Sequence, residues 1–255
     1  MLRLMTNLTF LKNREYYPLG NLNDANQISA FSPCFFKNMS LFYGDTREVL
    51  SNRKIFLNSL GIDYQYLVCA QQVHSSCVRY AKEEDKGKGA LTYANALSDT
   101  DALITDKRNI PLAVFTADCL SIFLYDPITP AVGLIHAGWQ STKENITTKT
   151  IKLMQEKFNT NLCALYVGFG PAIRDCCYEV GQEFSGYFIQ GLIKRNNCYY
   201  LDLVGINKQR LLDLGVKENN IFDSKICTSC RNREFFSYRK EGNACGRMIS
   251  VIMLK

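Results

Sequence analysis

Six short apolar runs crowd the middle of the chain, at about 66–73, 76–80, 101–105, 111–116, 121–125 and 131–136. Runs of this length read as strands. Few of them alternate with helical segments, which argues against a doubly wound parallel sheet. The pattern predicts an α/β fold of mixed β-sheets flanked by helices. Further helices are expected near 142–157, 181–192 and 202–214, and further strands near 28–31, 38–44, 164–169, 198–201, 234–238 and 247–254. A length of 255 residues suits one large domain with an ample core. With no repeat, low-complexity tract or linker in view, we expect a single domain over 1–255, its first part, 1–37, irregular.

Asp45-Thr-Arg-Glu48 is a capping box, and it predicts a helix that stops at Gly61. Val49, Phe56, Leu57 and Leu60 share one face of that helix at a 3.6-residue period, and Arg53 falls in the middle of the face. A guanidinium on an inward stripe needs an anionic partner or ligand, because burying it alone is prohibitive. A buried salt bridge, or an arginine at the stripe's edge reaching solvent, is the plain alternative to a ligand contact.

The net charge of +6 is modest and the lysines are dispersed, so nucleic acid is not an expected partner. The cluster Lys82-Glu-Glu-Asp-Lys-Gly-Lys-Gly89 mixes signs and reads as a solvated loop, while a phosphate-bearing small substrate fits the charge. The N-terminus lacks a signal-peptide core, and no window has the apolar length of a membrane span. A cytoplasmic protein without membrane attachment, monomeric or homodimeric, is the expectation. Its eleven cysteines then read as reduced thiols.

Only two histidines occur, His74 and His136, and each ends an apolar run, as Thr116-Ala-Asp-Cys119 ends a third. Two imidazoles and a thiol at strand ends are the pattern of a three-ligand metal site with an open position, as in catalytic zinc. Taken singly, each would be an ordinary core histidine or buried thiol. If the turn through Asp126-Pro-Ile-Thr-Pro130 centres between Pro127 and Ile128, Cys119 and His136 face each other directly across a hairpin. Beyond His136, Ser141 and Glu144 form a second capping box, with Ile146, Leu153 and Met154 as the buried stripe. The helix N-terminus at Ser141 would then offer free N–H groups to an anion beside the metal.

Taken together, Gln72-Val-His74, Thr116-Ala-Asp-Cys119, His136-Ala-Gly-Trp139, Gly170-Pro-Ala-Ile173 with Cys177-Tyr-Glu-Val-Gly181, and Phe235-Phe-Ser-Tyr-Arg239 with Gly246-Arg-Met248 form an ordered, specific set. From about Met39 onward the chain resembles the YfiH/YlmD-type family, long labelled multicopper polyphenol oxidoreductase or laccase domain. The resemblance implies a single domain of stacked mixed sheets covered by helices, related to the cytotoxic necrotizing factor fold. It implies a zinc-dependent purine nucleoside phosphorylase that also deaminates adenosine and cleaves methylthioadenosine. It implies His74, Cys119 and His136 as zinc ligands and, through the pair Asn52-Arg53, Arg53 as the phosphate contact. Purine nucleoside and phosphate are the partners so implied. Three departures stand out. Gln140-Ser141 replaces the family's Arg-Gly after the tryptophan, leaving Lys143 as a nearby cation. The N-terminal arginine loop shrinks to Phe31-Ser-Pro-Cys-Phe, and Ser75 replaces the usual glycine.

Other readings stay open. Cys119 activated by His136 would make an amide hydrolase or a peptidoglycan-precursor editing enzyme, for which His74 is dispensable. A metal-binding regulatory module without turnover is a third. Two histidines cannot furnish the several coppers of a multicopper oxidase. Asp101 and Asp118 are candidates for the general acid or for plain turn carboxylates. Cys227-Thr-Ser-Cys230, Cys176-Cys177 and Cys245 could form a second, structural zinc site, but a lone C-x-x-C is a weak signal and unligated thiols are the reading taken. Phe235, Phe236 and Tyr238 could stack on a purine, although strand aromatics are more often core.

Overall fold

The computed structural model describes Tyr16, Pro18, Leu19 and residues 26–255. Its elements are β1 (Gln27–Phe31), α1 (Thr46–Ser59), β2 (Val68–Cys69), β3 (Val78–Tyr80), β4 (Ala102–Thr105), β5 (Leu112–Thr116), β6 (Leu120–Asp126) and β7 (Ala131–Ala137). There follow α2 (Trp139–Lys143), α3 (Ile146–Phe158), β8 (Tyr166–Phe169), β9 (Glu179–Val180), β10 (Leu192–Arg195), β11 (Cys198–Leu201), α4 (Leu203–Asp213), β12 (Ile221–Asp223), α5 (Tyr238–Glu241) and β13 (Met248–Leu254).

Side-chain alternation along the central hairpin sets the layers. Phe123 and Tyr125 of β6, with Val132 and Leu134 of β7, face one core, while Ile122, Leu124, Ala131 and Ile135 face a second. The first core lies against the four-stranded sheet β1-β13-β5-β2, and the second is roofed by α3 and α4. The hairpin sits inside a six-stranded sheet, β12-β8-β6-β7-β4-β3, in which β3–β4 and β8–β12 are parallel and the other pairs antiparallel. A small sheet, β10-β11-β9, completes the stacked mixed-sheet α/β architecture. Gly133 is needed at the second core, because a Cβ there would lie 3.1 Å from Leu124 and 3.2 Å from Met154 Sδ.

The hairpin register differs from the expected one by two residues. Ser121, not Cys119, lies opposite His136, and Asp126 pairs with Ala131. The cause is Asp126, whose carboxylate accepts the N–H groups of Ile128 (2.9 Å), Thr129 (3.2 Å) and Asn161 (3.1 Å) and so closes a four-residue turn. A shift of two keeps the side-chain parity, so Cys119 stays on the same face as His136, now as a diagonal neighbour beyond the ladder.

Four further expectations are corrected. The stretch 38–44 is a loop, because the Asn38 side chain bonds the backbone of Ser40 and Tyr43 and offers an alternative to strand pairing. Residues 181–192 form a 3-10 turn, Gln182–Gly186, and a strand start, with Gly186 and Gly191 interrupting any longer helix. Residues 234–238 make a turn, since the Phe235 N–H bonds the Arg231 carbonyl four residues back. The helix expected near 142–157 begins earlier, at Trp139, and restarts after Asn145 turns left-handed at φ 64°.

Candidate metal centre

Between β5 and β6 the chain crosses from the four-stranded to the six-stranded sheet in three residues, Ala117, Asp118 and Cys119. That crossing carries Cys119 to the open end between the sheets, and Asp118 takes a positive φ of 85° to make it. Asp118 is held by Thr228 Oγ1 (2.6 Å) and by the Arg239 N–H (2.7 Å). His136 projects from β7 at the same end, and His74 comes from the loop after β2, itself at φ 60°.

Asp101 joins the two histidines. Its fully buried carboxylate accepts the backbone N–H groups of His74 (3.0 Å) and Ser75 (2.7 Å), and lies 2.8 Å from His136 Nδ1. The first two bonds stabilise the strained His74 turn, and the third leaves His136 Nε2 to face the cleft, the orientation of a metal-bound histidine backed by a carboxylate. Asp101 is therefore a positioning residue, a role that its place just before a wholly buried strand could have suggested.

The ligand atoms of His74, Cys119 and His136 all lie within 4.8 Å of one another, and His74 Nε2 is 3.8 Å from Cys119 Sγ. Metal–nitrogen and metal–sulfur bonds of about 2.0 and 2.3 Å in tetrahedral geometry need a separation near 3.5 Å, so the trio fits a metal ion. Gly138 makes the approach possible, since a Cβ there would sit 2.9 Å from the His74 ring and 3.2 Å from Cys119 Sγ. Burial would raise the Cys119 thiol, but His136 and His74 outweigh it and hold it down at about 6. Burial likewise works against charge on His136, yet Cys119 and Asp101 raise it to about 9. Without an ion Cys119 and His136 thus form a thiolate–imidazolium pair, and a metal would take the sulfur as thiolate and displace the proton from His136 Nε2.

The three ligands border a cavity of about 680 Å³, within the range of small-molecule sites. Arg53 also lines it, although the residue is only 1% exposed. Its Nε donates to the Met39 carbonyl (2.8 Å), and its Nη1 to those of Gly89 (2.9 Å) and Ala90 (2.8 Å). The guanidinium lies 4.7 Å over the Phe115 ring. Among the described residues no carboxylate pairs with it, so neither the buried salt bridge nor the solvent-reaching arginine describes it. Burial lowers its pKa, with Cys69 opposing the shift.

Ser141 lies elsewhere. Gly138 is the helix cap and Ser141 the third helical residue, so the expected pairing with Glu144 does not form. Its fully buried hydroxyl accepts the Gly138 N–H (2.9 Å) and meets the His136 carbonyl at 3.2 Å. It shapes the turn after His136 and does not line the cavity. Lys143 is turned onto the Tyr187 ring, 4.0 Å from its centroid, whereas Gln140 does line the cavity. Phe235 is core, but Tyr238 is half-exposed on the cavity wall with Tyr178, Arg239 and Arg247. Tyr178 was identified only within its motif, because nothing local to it shows that its loop folds back over Cys119.

Residues 29–255 match the family model described as multi-copper polyphenol oxidoreductase laccase. The chain is 34% identical over 225 residues to the purine nucleoside phosphorylase YlmD of Geobacillus stearothermophilus, covering 84% of this chain and 82% of that protein. It is 30% identical over 245 residues to the adenosine deaminase RL5 of an unknown prokaryotic organism, covering 92% and 91%. The crystal structure of the hypothetical protein YfiH of Bacillus licheniformis superposes with a TM-score of 0.85 at 29% identity, covering 91% of this chain and 98% of that one. On this match of sequence and fold, the chain belongs to the multi-copper polyphenol oxidoreductase laccase family, among its YlmD and YfiH relatives.

Proposed function

We propose that the chain is a zinc-dependent purine nucleoside phosphorylase, acting on adenosine, inosine and methylthioadenosine, with adenosine deaminase activity at the same site. The observation that carries this reading is the convergence of two imidazoles and a thiolate at one end of a cavity that also holds a buried arginine, with no carboxylate partner among the described residues. Two relatives bear the names of these two activities. Zinc, held by His74, Cys119 and His136, would supply Lewis-acid polarisation and activation of water.

The chain's own groups do the rest. Asp101 keeps His136 oriented and accepts its Nδ1 proton's hydrogen bond. Arg53 already gives three donors to carbonyls, which fixes its plane; its charge is then offset by an anion bound in the cavity, and phosphate is that anion. The aromatic walls formed by Tyr178 and Tyr238 offer faces to the purine. We assign Ser141 no direct phosphate contact. Tyr178, whose phenol burial raises, stays protonated, so it can donate a hydrogen bond toward the base.

Incubating the purified protein with adenosine and phosphate tests the reading. Ribose 1-phosphate with adenine, together with inosine, is the expected product set. Absence of all three from a zinc-replete protein rejects it. The second reading, a Cys119–His136 amide hydrolase, is favoured by the thiolate–imidazolium pair backed by Asp101. It predicts an active metal-free enzyme and an active His74→Ala variant, both of which the zinc reading forbids.

A further inference from the structure

A second group of ligands lies outside the cavity. Cys176 and Cys177 occupy the turn after β8, and Cys227 and Cys230 the turn after β12. Their four sulfurs lie within 4.8 Å of one another. Cys230 Sγ is 3.4 Å from Cys177 Sγ and 3.7 Å from Cys176 Sγ. Cys245, the fifth cysteine that could have joined them, is not among them.

These separations discriminate between the chemistries available to four thiols. A disulfide brings two sulfurs to about 2.05 Å, and none of the eleven cysteines is so paired. Four thiolates on one tetrahedral zinc, each at about 2.3 Å, stand roughly 3.8 Å apart, close to what is found. Two ligands come from each of two turns more than fifty residues apart. A metal there closes a long stretch of chain and adds to the contacts that already join the two turns.

We propose that Cys176, Cys177, Cys227 and Cys230 form a second, structural zinc site, a closed tetrathiolate that clamps the two turns together. On binding, each thiol gives its proton to solvent and its sulfur to the ion, so no redox step is involved. The backbones of the two turns are already zipped by Thr228 N–H to Ala172 carbonyl (3.1 Å) and Ala172 N–H to Ile226 carbonyl (3.3 Å). The clamp connects to the cavity through two residues. Thr228, between the two cysteines of one turn, holds Asp118 beside Cys119, and Tyr178, directly after Cys177, lines the cavity. The site is independent of the reaction proposed above.

Metal analysis of the full chain, purified under reducing conditions, tests this. Wild type is expected to carry two zinc ions per chain and His74→Ala one. Cys230→Ser and Cys176→Ser should likewise each carry one, and a variant combining His74→Ala with Cys230→Ser none. Reloading His74→Ala with cobalt should produce the intense visible bands of a tetrahedral cobalt thiolate, a readout that does not require a cysteine variant to fold. A His74→Ala protein without zinc and without those cobalt bands overturns the proposal. So does an intact mass lower by two or four hydrogens in metal-free protein, which identifies disulfides instead. So does iron as the bound metal. Should His74→Ala keep all the zinc of a one-zinc wild type, and Cys230→Ser lose it, the second site stands and the catalytic centre fails.

Discussion

Two clusters of metal-ligand side chains differ in setting, one lining the cavity and one outside it. His74, Cys119 and His136 sit at the open end between two sheets, where three ligands leave one side to the cavity. Cys176, Cys177, Cys227 and Cys230 sit on two turns outside the cavity, where four sulfurs can fill the coordination of one ion by themselves. In the first, a buried aspartate fixes the geometry before any ion arrives. In the second, backbone pairing and the ion pair of Arg174 with Asp223 bring the turns together. A site supported by a rigid second layer is built for turnover, and one that finishes its own scaffold is built for stability.

The largest effect expected is on the first cluster. Cys119→Ala should remove a ligand from a site with only three, and turnover should fall by about a thousandfold or more, the scale of losing a key electrostatic contact. Steady-state assay of ribose 1-phosphate and inosine checks this, with the melting temperature little changed. Cys230→Ser should show the opposite balance, a stability loss greater than about 2 kcal/mol in denaturant titration with much of the turnover retained. If both variants lose turnover equally and neither loses stability, the contrast between the two clusters collapses.

Arg53→Ala sharpens the comparison within the cavity. Removing a desolvated contact to an anion costs about 2–5 kcal/mol, so phosphorolysis should drop at least tenfold. Deamination, which uses no phosphate, should drop much less. Equal losses in both activities and in stability would instead make Arg53 a strut holding Met39, Gly89 and Ala90.

Asp101→Asn probes the supporting layer. Outer-layer partners of metal ligands are worth about 10–100-fold in metal affinity, and zinc titration of the first site should weaken by that factor. The second cluster should keep its affinity. The smallest effect belongs to the hairpin. Asp126→Ala should cost about 1.5–3 kcal/mol by removing the charged acceptor of the part-buried N–H groups of the turn, read by thermal melting with zinc content unchanged.

Much of this was legible in the sequence. The apolar runs at 101–105, 111–116, 121–125, 131–136 and 247–254 are the strands β4, β5, β6, β7 and β13, because each is buried on both faces and needs a continuous apolar run. Asp45 caps α1 by accepting the Glu48 N–H at 3.0 Å. The segments misread, 38–44, 181–192 and 234–238, are those whose backbones are held by side chains or by turns instead of a ladder. There local apolar content says little about conformation.

The sequence by itself determined which residues can bind a metal, that two histidines and Cys119 end apolar runs, and that Arg53 lies on an inward helical face. These follow from residue type and local periodicity, which act over one or two turns of chain. Only the tertiary structure decided the rest. It set the register, through an aspartate that closes a turn. It left Arg53 facing a cavity with no carboxylate beside it among the described residues, and it spent Ser141 on the turn after His136. It also brought two cysteine pairs from distant turns to within 4.8 Å. Such meetings depend on how sheets stack and where loops close, and those are decided by packing across the whole core rather than by any stretch of sequence.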